Sequence, residues 1–399
     1  MKLKATILFL FIACFPAICF AKKTKGMVSF RFYGSQWSVR VSDQLRIPVP
    51  DSLTEDVFDT THIEMHIRDT YDDCINLKFK KQLNDWAYMK MLDSLSLSCF
   101  SNIDEAVLLK SYLMVKSGYD IILLKEKNHI HMGYYTKSTV YGKAFYPLGD
   151  KDYYVDENFD DAIFFPFRCK GRPISFDMRV QPLLDYARMQ PRLLESGKGK
   201  VLGNPIKNIS PYPLSIEVSV NRNLLDFYAQ YPSTMKNYDF TTRWSMVANV
   251  PMDVDLKKQV YPYFKEQLRG LSQYEAVERL LDFVQTALSY EYDDDVWGKD
   301  RAFFTEETLF YPYSDNEDRV ILLSRLIRDL VGLEVVLLYF NRHLSMAVHF
   351  DDEVEGASVI YNGDRFVVCD PTYIGGDIGE IMPPFADEDP ERIILLYNY

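Results

Sequence analysis

Three side chains in the C-terminal quarter of the chain are of the types that form a hydrogen-bonded catalytic array. His343 opens an apolar run, Asp370 ends another, and Asn316 precedes an apolar-periodic segment. An aspartate that accepts a hydrogen bond from histidine fixes the imidazole tautomer, and the imidazole then acts as the base for a nucleophile. Asparagine cannot be that nucleophile, because its amide does not lose a proton to imidazole. The sequence therefore predicts a base and an orienting acid without their nucleophile.

The elements that must position these residues follow from local pattern. The apolar periodicity of residues 320–331 predicts a helix, which Gly332 ends because glycine readily adopts positive φ. Apolar and β-branched runs at 333–339 and 343–350 predict two strands. Asn362-Gly363 is typical of a hairpin turn and leads into the strand that ends at Asp370.

The motifs in this region resemble those of the transglutaminase-like superfamily, whose papain-like fold carries Cys, His and Asp in chain order. The residues concerned are Asn316-Glu317-Asp318-Arg319, His343, and Cys369-Asp370-Pro371-Thr372-Tyr373. In that family the thiol lies at a helix N-terminus, where the dipole favours the thiolate. The resemblance covers residues 251 to about 384 well and 80–156 weakly. It implies that His343 and Asp370 are retained triad residues and that Asn316 stands at a degenerate nucleophile position.

Three other residues are candidates for a substitute nucleophile. Ser314 lies two residues before Asn316, and we expect its hydroxyl to cap the helix instead of facing His343. Cys369 adjoins Asp370, and strand alternation predicts that the two face opposite sides of the sheet. Cys99 precedes the region around His129, and an approach of its thiol to that histidine stays open.

A repeat relates the two halves of the chain. Shifted by 214 residues, 102–134 aligns with 316–348 without a gap and gives nine identities, against roughly two expected by chance. The identical pairs are Asn102/Asn316, Asp104/Asp318, Leu108/Leu322, Leu109/Leu323, Gly118/Gly332, Leu123/Leu337, Leu124/Leu338, His129/His343 and Met132/Met346. We infer two transglutaminase-like units, the first more eroded and also with asparagine at the nucleophile position.

The fold class predicted is α+β, with a helix packed on an antiparallel sheet in each unit. We assign 1–21 to a signal peptide, 22–172 and 251–399 to the two units, and 173–250 to a β-rich connector. Within the connector we expect a short helix at 183–190, a strand at 214–220, a helical turn at 221–228 and a strand at 241–250. Ser101 and Ser314 are the expected helix caps.

The N-terminal pattern predicts export. Lys2 and Lys4, an apolar run and a small-residue cleavage site before residue 22 form a secretory signal; acylation of Cys14 in a lipoprotein signal is the rival interpretation. No later apolar run is long enough to span a bilayer. The formal net charge of −12 makes nucleic acid and anionic membranes poor partners. The scattered cysteines favour no zinc site, and we expect no cofactor.

An acid-rich segment, 291–310, precedes the predicted helix. Its carboxylates could bind calcium, but it has no EF-hand pattern, and we expect a solvated loop. Loops in this position wall the substrate groove in transglutaminase-like proteins.

Three functions are consistent with these features. The first is an exported pseudoenzyme that binds a peptide or protein segment in the former active-site groove. The second is an active cysteine or serine peptidase, or acyl transferase, that uses Cys99, Ser314 or Cys369. The third is a structural module of the cell envelope whose aromatic surface assembles with neighbouring proteins. Sequence does not name the ligand or the number of protomers.

Overall fold

The computed structural model describes residues 26–50, 60–127, 129–155, 163–167, 172–178, 183–206, 210–298 and 300–397. The predicted signal peptide, with Cys14, lies outside these residues, as does Cys169. The α-helices in them are α1 (Thr60–Lys80), α2 (Asp85–Cys99), α3 (Ile103–Lys116), α4 (Arg222–Tyr228), α5 (Arg243–Ala248), α6 (Val254–Gln267), α7 (Gln273–Ala287), α8 (Asp293–Val296), α9 (Thr305–Phe310) and α10 (Asn316–Leu330). Two short 3-10 helices cover Phe240–Thr242 and Pro383–Phe385.

Twenty strands accompany these helices within the described ranges. They are β1 (Met27–Phe32), β2 (Ser35–Arg40), β3 (Ile121–Glu126), β4 (His129–Tyr135), β5 (Thr139–Val140), β6 (Phe145–Leu148), β7 (Lys151–Tyr154), β8 (Ile163–Phe167), β9 (Arg192–Glu195), β10 (Lys200–Val201), β11 (Asn204–Pro205), β12 (Ser215–Val218), β13 (Thr234–Met235), β14 (Ser289–Tyr290), β15 (Tyr313–Ser314), β16 (Glu334–Phe340), β17 (His343–His349), β18 (Ser358–Tyr361), β19 (Asp364–Val368) and β20 (Arg392–Leu395). The protein is therefore of mixed α+β class, as predicted.

The C-terminal half is built on a five-stranded antiparallel sheet of order β18-β19-β17-β16-β20. Helix α10 packs on β16 and β17, and its residues Val320, Leu323 and Ile327 are completely buried. Helix α7 packs against α10 and begins at the predicted capping box, in which Ser272 Oγ accepts from Glu275 N and the Glu275 carboxylate accepts from Ser272 N.

The N-terminal half contains a second five-stranded antiparallel sheet, of order β6-β7-β4-β3-β8. Helix α3 packs on β3 and β4. If β3 is matched to β16 and β4 to β17, every strand of one sheet has a counterpart at the same position in the other. The 214-residue repeat covers only the helix and the two central strands of each sheet, so it did not determine this shared strand order.

The pairing register of the central strands is also the same in both sheets. Glu126 pairs with His129, and 214 residues later Phe340 pairs with His343. Next along, Tyr134 pairs with Tyr154, and its counterpart Val348 pairs with Val367. That second correspondence is offset by 213 residues instead of 214, so strand β7 is one position out of step with the sequence repeat.

The segment between the halves contains five short strands, β9 to β13, and differs from prediction at two places. Strand β12 and helix α4 lie where a strand and a helical turn were expected. The predicted strand at 241–250 is wrong, because this stretch contains α5, whose Trp244 and Ala248 are buried in the C-terminal core. The predicted helix at 183–190 is also wrong: the chain there is irregular and hydrogen-bonds to neighbouring segments, as from Ala187 N to Asn221 Oδ1.

The caps of the two central helices differ from prediction. In α3 the cap is Asn102, whose Oδ1 accepts from Asp104 N and Glu105 N, and not Ser101. In α10 the residue before the first turn is Asp315, while Ser314 belongs to β15. Among the described helices, none has both the length and the apolarity needed to cross a membrane.

Candidate functional site

Strand geometry brings His343 and Asp370 together at one end of the C-terminal sheet. His343 is the first residue of β17, and Asp370 follows the end of β19. Ala347 pairs with Val368, so the antiparallel register carries Asp370 back along β17 to a position diagonal to His343 on the same face. Asn316, the first residue of α10, lies over this corner because the helix packs across β17.

The three predicted residues form a continuous hydrogen-bonded chain. His343 Nε2 lies 2.8 Å from Asp370 Oδ2, and His343 Nδ1 lies 3.4 Å from Asn316 Nδ2. Since the amide nitrogen is a donor, Nδ1 accepts and Nε2–H donates to the carboxylate. The amide oxygen of Asn316 accepts from the hydroxyl of Tyr290 at 2.7 Å. The side chain of Asn316 is thus oriented at both of its ends.

The orienting carboxylate is buried but held in its charged form. Burial raises the pKa of Asp370, but hydrogen bonds from His343 and Thr372 outweigh this and lower it below its usual range. Asp370 Oδ1 also accepts from Thr372 N at 2.9 Å and from Thr372 Oγ1 at 2.6 Å. Both oxygens therefore have donors, and the residue is 4% exposed.

Gln285 of α7 fixes the loop that follows Asp370. Its Nε2 donates to the carbonyls of Asp370, Tyr373 and Gly376, and its Oε1 accepts from Gly375 N. This role was missed at sequence level. Its only signal is a polar residue on the apolar face of an amphipathic helix.

An aromatic ring covers the histidine. Phe385, in the second 3-10 helix, stacks on the imidazole of His343 with ring centroids 4.6 Å apart and planes 8° apart. His343 is only 5% exposed, whereas Asn316 is half-buried at the surface. A ligand can therefore reach the amide of Asn316 more readily than the imidazole behind it.

The hydrogen-bond partners of the His343 imidazole are Asn316 and Asp370, and none of the three substitute nucleophiles. The Ser314 hydroxyl donates to Ser289 O and accepts from Arg319 Nε, so it is occupied as expected, though by these partners and not as a helix cap. Cys369 is completely buried in the apolar core, and burial raises the pKa of its thiol. Cys99 is the half-buried last residue of α2. Of the described cysteines, neither these two nor Cys74 forms a disulfide.

The corresponding residues of the first unit do not reproduce the array. Asn102 turns its oxygen to the backbone of α3 as a cap. The side chain of His129 is 68% exposed, and its nearest acid is Asp104, at 3.7 Å between Nδ1 and Oδ1. Asn316 lies one position further into its helix than Asn102 does, which frees its side chain from capping.

The acid-rich segment is not the solvated loop that we expected. Glu306 and Glu307 are 2% and 0% exposed, and burial raises the pKa of each to about 7. Glu306 accepts from Asp253 N, and Glu307 pairs with Arg301. Asp294, Asp295 and Asp300 are the exposed acids of the segment. The sequence does not indicate this burial, because Glu306 is held by Asp253 N from outside the segment and nothing in the pattern of Arg301 and Glu307 distinguishes a buried pair from an exposed one.

Two surface cavities lie away from the array. One of about 320 Å³ lies between α2, α3 and β4 and includes Leu97, Ile103 and His131. Another of about 350 Å³ includes Tyr274, Phe350 and three acidic residues that follow it. Neither is lined by Asn316, His343 or Asp370, so the hydrogen-bonded array and not cavity volume defines the candidate site.

Comparison with known proteins gives no match: no family model matches the chain, and no curated protein is found to be similar to it. The resemblance to the transglutaminase-like superfamily therefore stays a prediction that rests on the residues described above.

Proposed function

We propose that this chain is a non-catalytic transglutaminase-like protein that binds a peptide or protein segment at Asn316. The observation that carries the proposal is the ordered array from Asn316 through His343 to Asp370, in which an amide occupies the place of a nucleophile. An amide offers two donors and an acceptor but no nucleophilic electron pair of the kind a thiolate has. The array is therefore suited to hold a polar group and unsuited to attack it.

We further propose that the two halves arose by duplication of one such unit. The same strand order in both sheets and the same register of β3–β4 and β16–β17 support this. Asn102 caps α3 and Asn316 is the first residue of α10, so the two asparagines differ by one position relative to the start of their helices. On this proposal, the first unit lost its array when Asn102 became a cap and His129 turned to solvent.

The surface next to Asn316 supports a peptide as the ligand. Tyr290, which donates to Asn316, packs edge-on against Tyr292 at 5.6 Å between ring centroids, and Tyr292 is 53% exposed. We call Asn316, Tyr290 and Tyr292 the amide patch. An amide beside exposed aromatic surface can hydrogen-bond a peptide backbone and pack against an apolar side chain. The predicted signal peptide supports a site of action outside the cytoplasm.

Selection from a displayed random-peptide library, followed by fluorescence anisotropy, tests the proposal. We expect enriched peptides whose affinity falls about tenfold or more in Tyr292→Ala and in Asn316→Ala, since interface aromatics commonly contribute more than 1 kcal/mol. Tyr238→Ala is the matched control, because Tyr238 is 61% exposed, lies outside the amide patch and hydrogen-bonds to Asp152. Equal affinity of all three variants would refute the amide patch as the ligand site.

A further inference from the structure

Three carboxylates from two segments of the chain meet at the start of α10. Asp293 begins α8, Asp315 precedes α10, and Asp318 lies in its first turn. One carboxylate oxygen of each lies within 4.8 Å of those of the other two. All three residues are buried, with exposures of 9%, 9% and 0%. We call them the aspartate cluster.

Among the described residues, Arg301 and Arg319 interact electrostatically with the cluster but form no salt bridge with it. None of its three residues forms an ion pair with a described lysine, arginine or histidine. Arg301 is paired with Glu307. The guanidinium of Arg319 donates to Ser314 Oγ and to the carbonyls of Gln285 and Leu288.

Backbone amides donate to all three carboxylates but leave one oxygen of the cluster without a donor. The Asp315 carboxylate accepts from Asp318 N in a capping box at the start of α10. Asp318 accepts from Phe303 N at 2.8 Å and from Asp315 N at 3.2 Å, and Asp293 accepts from Arg301 N at 2.6 Å. Asp315 Oδ1 is buried with no hydrogen-bond donor from the described residues. A buried carboxylate oxygen without a partner is costly, so Asp315 Oδ1 points to a partner that is not a protein side chain.

We propose that Asp293, Asp315 and Asp318 bind a Ca²⁺ ion. Three carboxylates form an all-oxygen ligand set, which suits a hard divalent cation. Ca²⁺ lies 2.3–2.6 Å from its ligands, so oxygens on opposite sides of it are about 4.6–5.2 Å apart, and the 4.8 Å limit of the cluster is compatible with one shared ion. Ca²⁺ also tolerates irregular geometry, whereas Mg²⁺ demands a near-ideal octahedron and retains its waters.

The electrostatics of the cluster agree with this assignment. Burial raises the pKa of Asp293 to about 7, and burial together with repulsion between the carboxylates raises those of Asp315 and Asp318. A cation removes that repulsion. Because Asp315 adjoins Asn316, the ion would also fix the N-terminus of α10, but its binding does not depend on a peptide ligand.

Terbium luminescence tests the site in the full-length chain after EDTA treatment. Tb³⁺ replaces Ca²⁺ at oxygen sites, and Trp297, about one helical turn after Asp293, is positioned to sensitise its emission. We expect saturable emission that Ca²⁺ displaces, together with a rise in melting temperature on adding Ca²⁺. Asp315→Asn should weaken binding of both ions about tenfold or more, because it removes one ligand charge.

Two further variants keep the outcome decisive. Asp293→Asn should have the same effect and replaces Asp315→Asn if that variant does not fold. Asp294→Asn, an exposed acid on the same helix, should leave binding unchanged. Without Ca²⁺, Asp315→Asn should melt no lower than wild type, because it relieves repulsion. Absence of saturable emission, emission equal in all variants, or displacement by Mg²⁺ in preference to Ca²⁺ would overturn the proposal.

Discussion

Replacement of Asn316 by cysteine should create a reactive thiol. The cysteine side chain is smaller than the amide and takes its place at the start of α10, beside His343 Nδ1. The imidazole is already oriented, since its Nε2 is held 2.8 Å from Asp370. An imidazolium and a helix N-terminus both favour the thiolate, so Asn316→Cys should restore the pair that the resembled family uses.

The size of the effect follows from the ionisation of the thiol. In such surroundings the pKa of a cysteine falls from about 8.5 to between about 3.5 and 7.5. At about pH 6 a thiol with a pKa of about 6 is half ionised, against roughly 0.3% for an ordinary thiol, which is a roughly 150-fold difference. The lower basicity reduces intrinsic nucleophilicity by roughly 10- to 20-fold. A net advantage of about tenfold in alkylation rate should remain at this pH.

The assay is iodoacetamide alkylation across a pH series, with the product quantified by peptide mapping at position 316. Mapping separates the new thiol from the native ones, of which Cys74 and Cys369 are buried with raised pKa values. The matched control is Asn316→Cys combined with His343→Ala, in which the thiol keeps its helix position but loses the imidazole. An ordinary thiol pH profile that is the same in both proteins would refute triad geometry and leave a resemblance in fold alone.

Three further predictions concern the native array. Wild-type protein should give no amide or ester turnover on labelled peptides; turnover that disappears in Ser314→Ala, Cys99→Ala or Cys369→Ala would identify the nucleophile and sink the pseudoenzyme account. The pKa of Asp370 is lowered in the folded protein, so its contribution to stability should be complete above its unfolded-state pKa of about 3.9. That contribution should be lost as the pH falls through the lower folded-state pKa. Urea unfolding should therefore show a smaller acid-induced loss of stability in Asp370→Asn than in the wild type. Gln285→Ala should lower the free energy of unfolding by about 1–3 kcal/mol, because it removes the donor of buried carbonyls. The exposed control Gln36→Ala should change the free energy of unfolding by less than about 0.5 kcal/mol. Equal urea midpoints for the two variants would contradict this role of Gln285.

Sequence predicted the parts of the fold in which local pattern and packing agree. The period of α10, the glycine that follows it and the strands on either side of the His343 turn all lie where expected, because one buried face determines both periodicity and register. The strand expected at 241–250 failed for the opposite reason. Its alternation is short, and burial of Trp244 against the C-terminal core overrides the weak local preference.

The site could be predicted only as far as its residues belong to a motif. His343 and Asp370 are 27 positions apart but are brought together by strand pairing that the sequence indicates. Phe385 and Tyr290 belong to no motif, and they reach the array from the second 3-10 helix and from strand β14. The burial of Asp293 with Asp315 is likewise a contact across 22 positions, and nothing in the acid-rich segment distinguishes this residue from its exposed neighbours.

The central claim is that the array binds a peptide without reacting with it. The most direct measurement is mass spectrometry of a library-selected peptide after prolonged incubation with the wild-type protein, with bound and free fractions analysed separately. The account predicts that the bound peptide is recovered intact and that the protein mass is unchanged. A cleaved peptide, a crosslinked product or an acylated protein would contradict it.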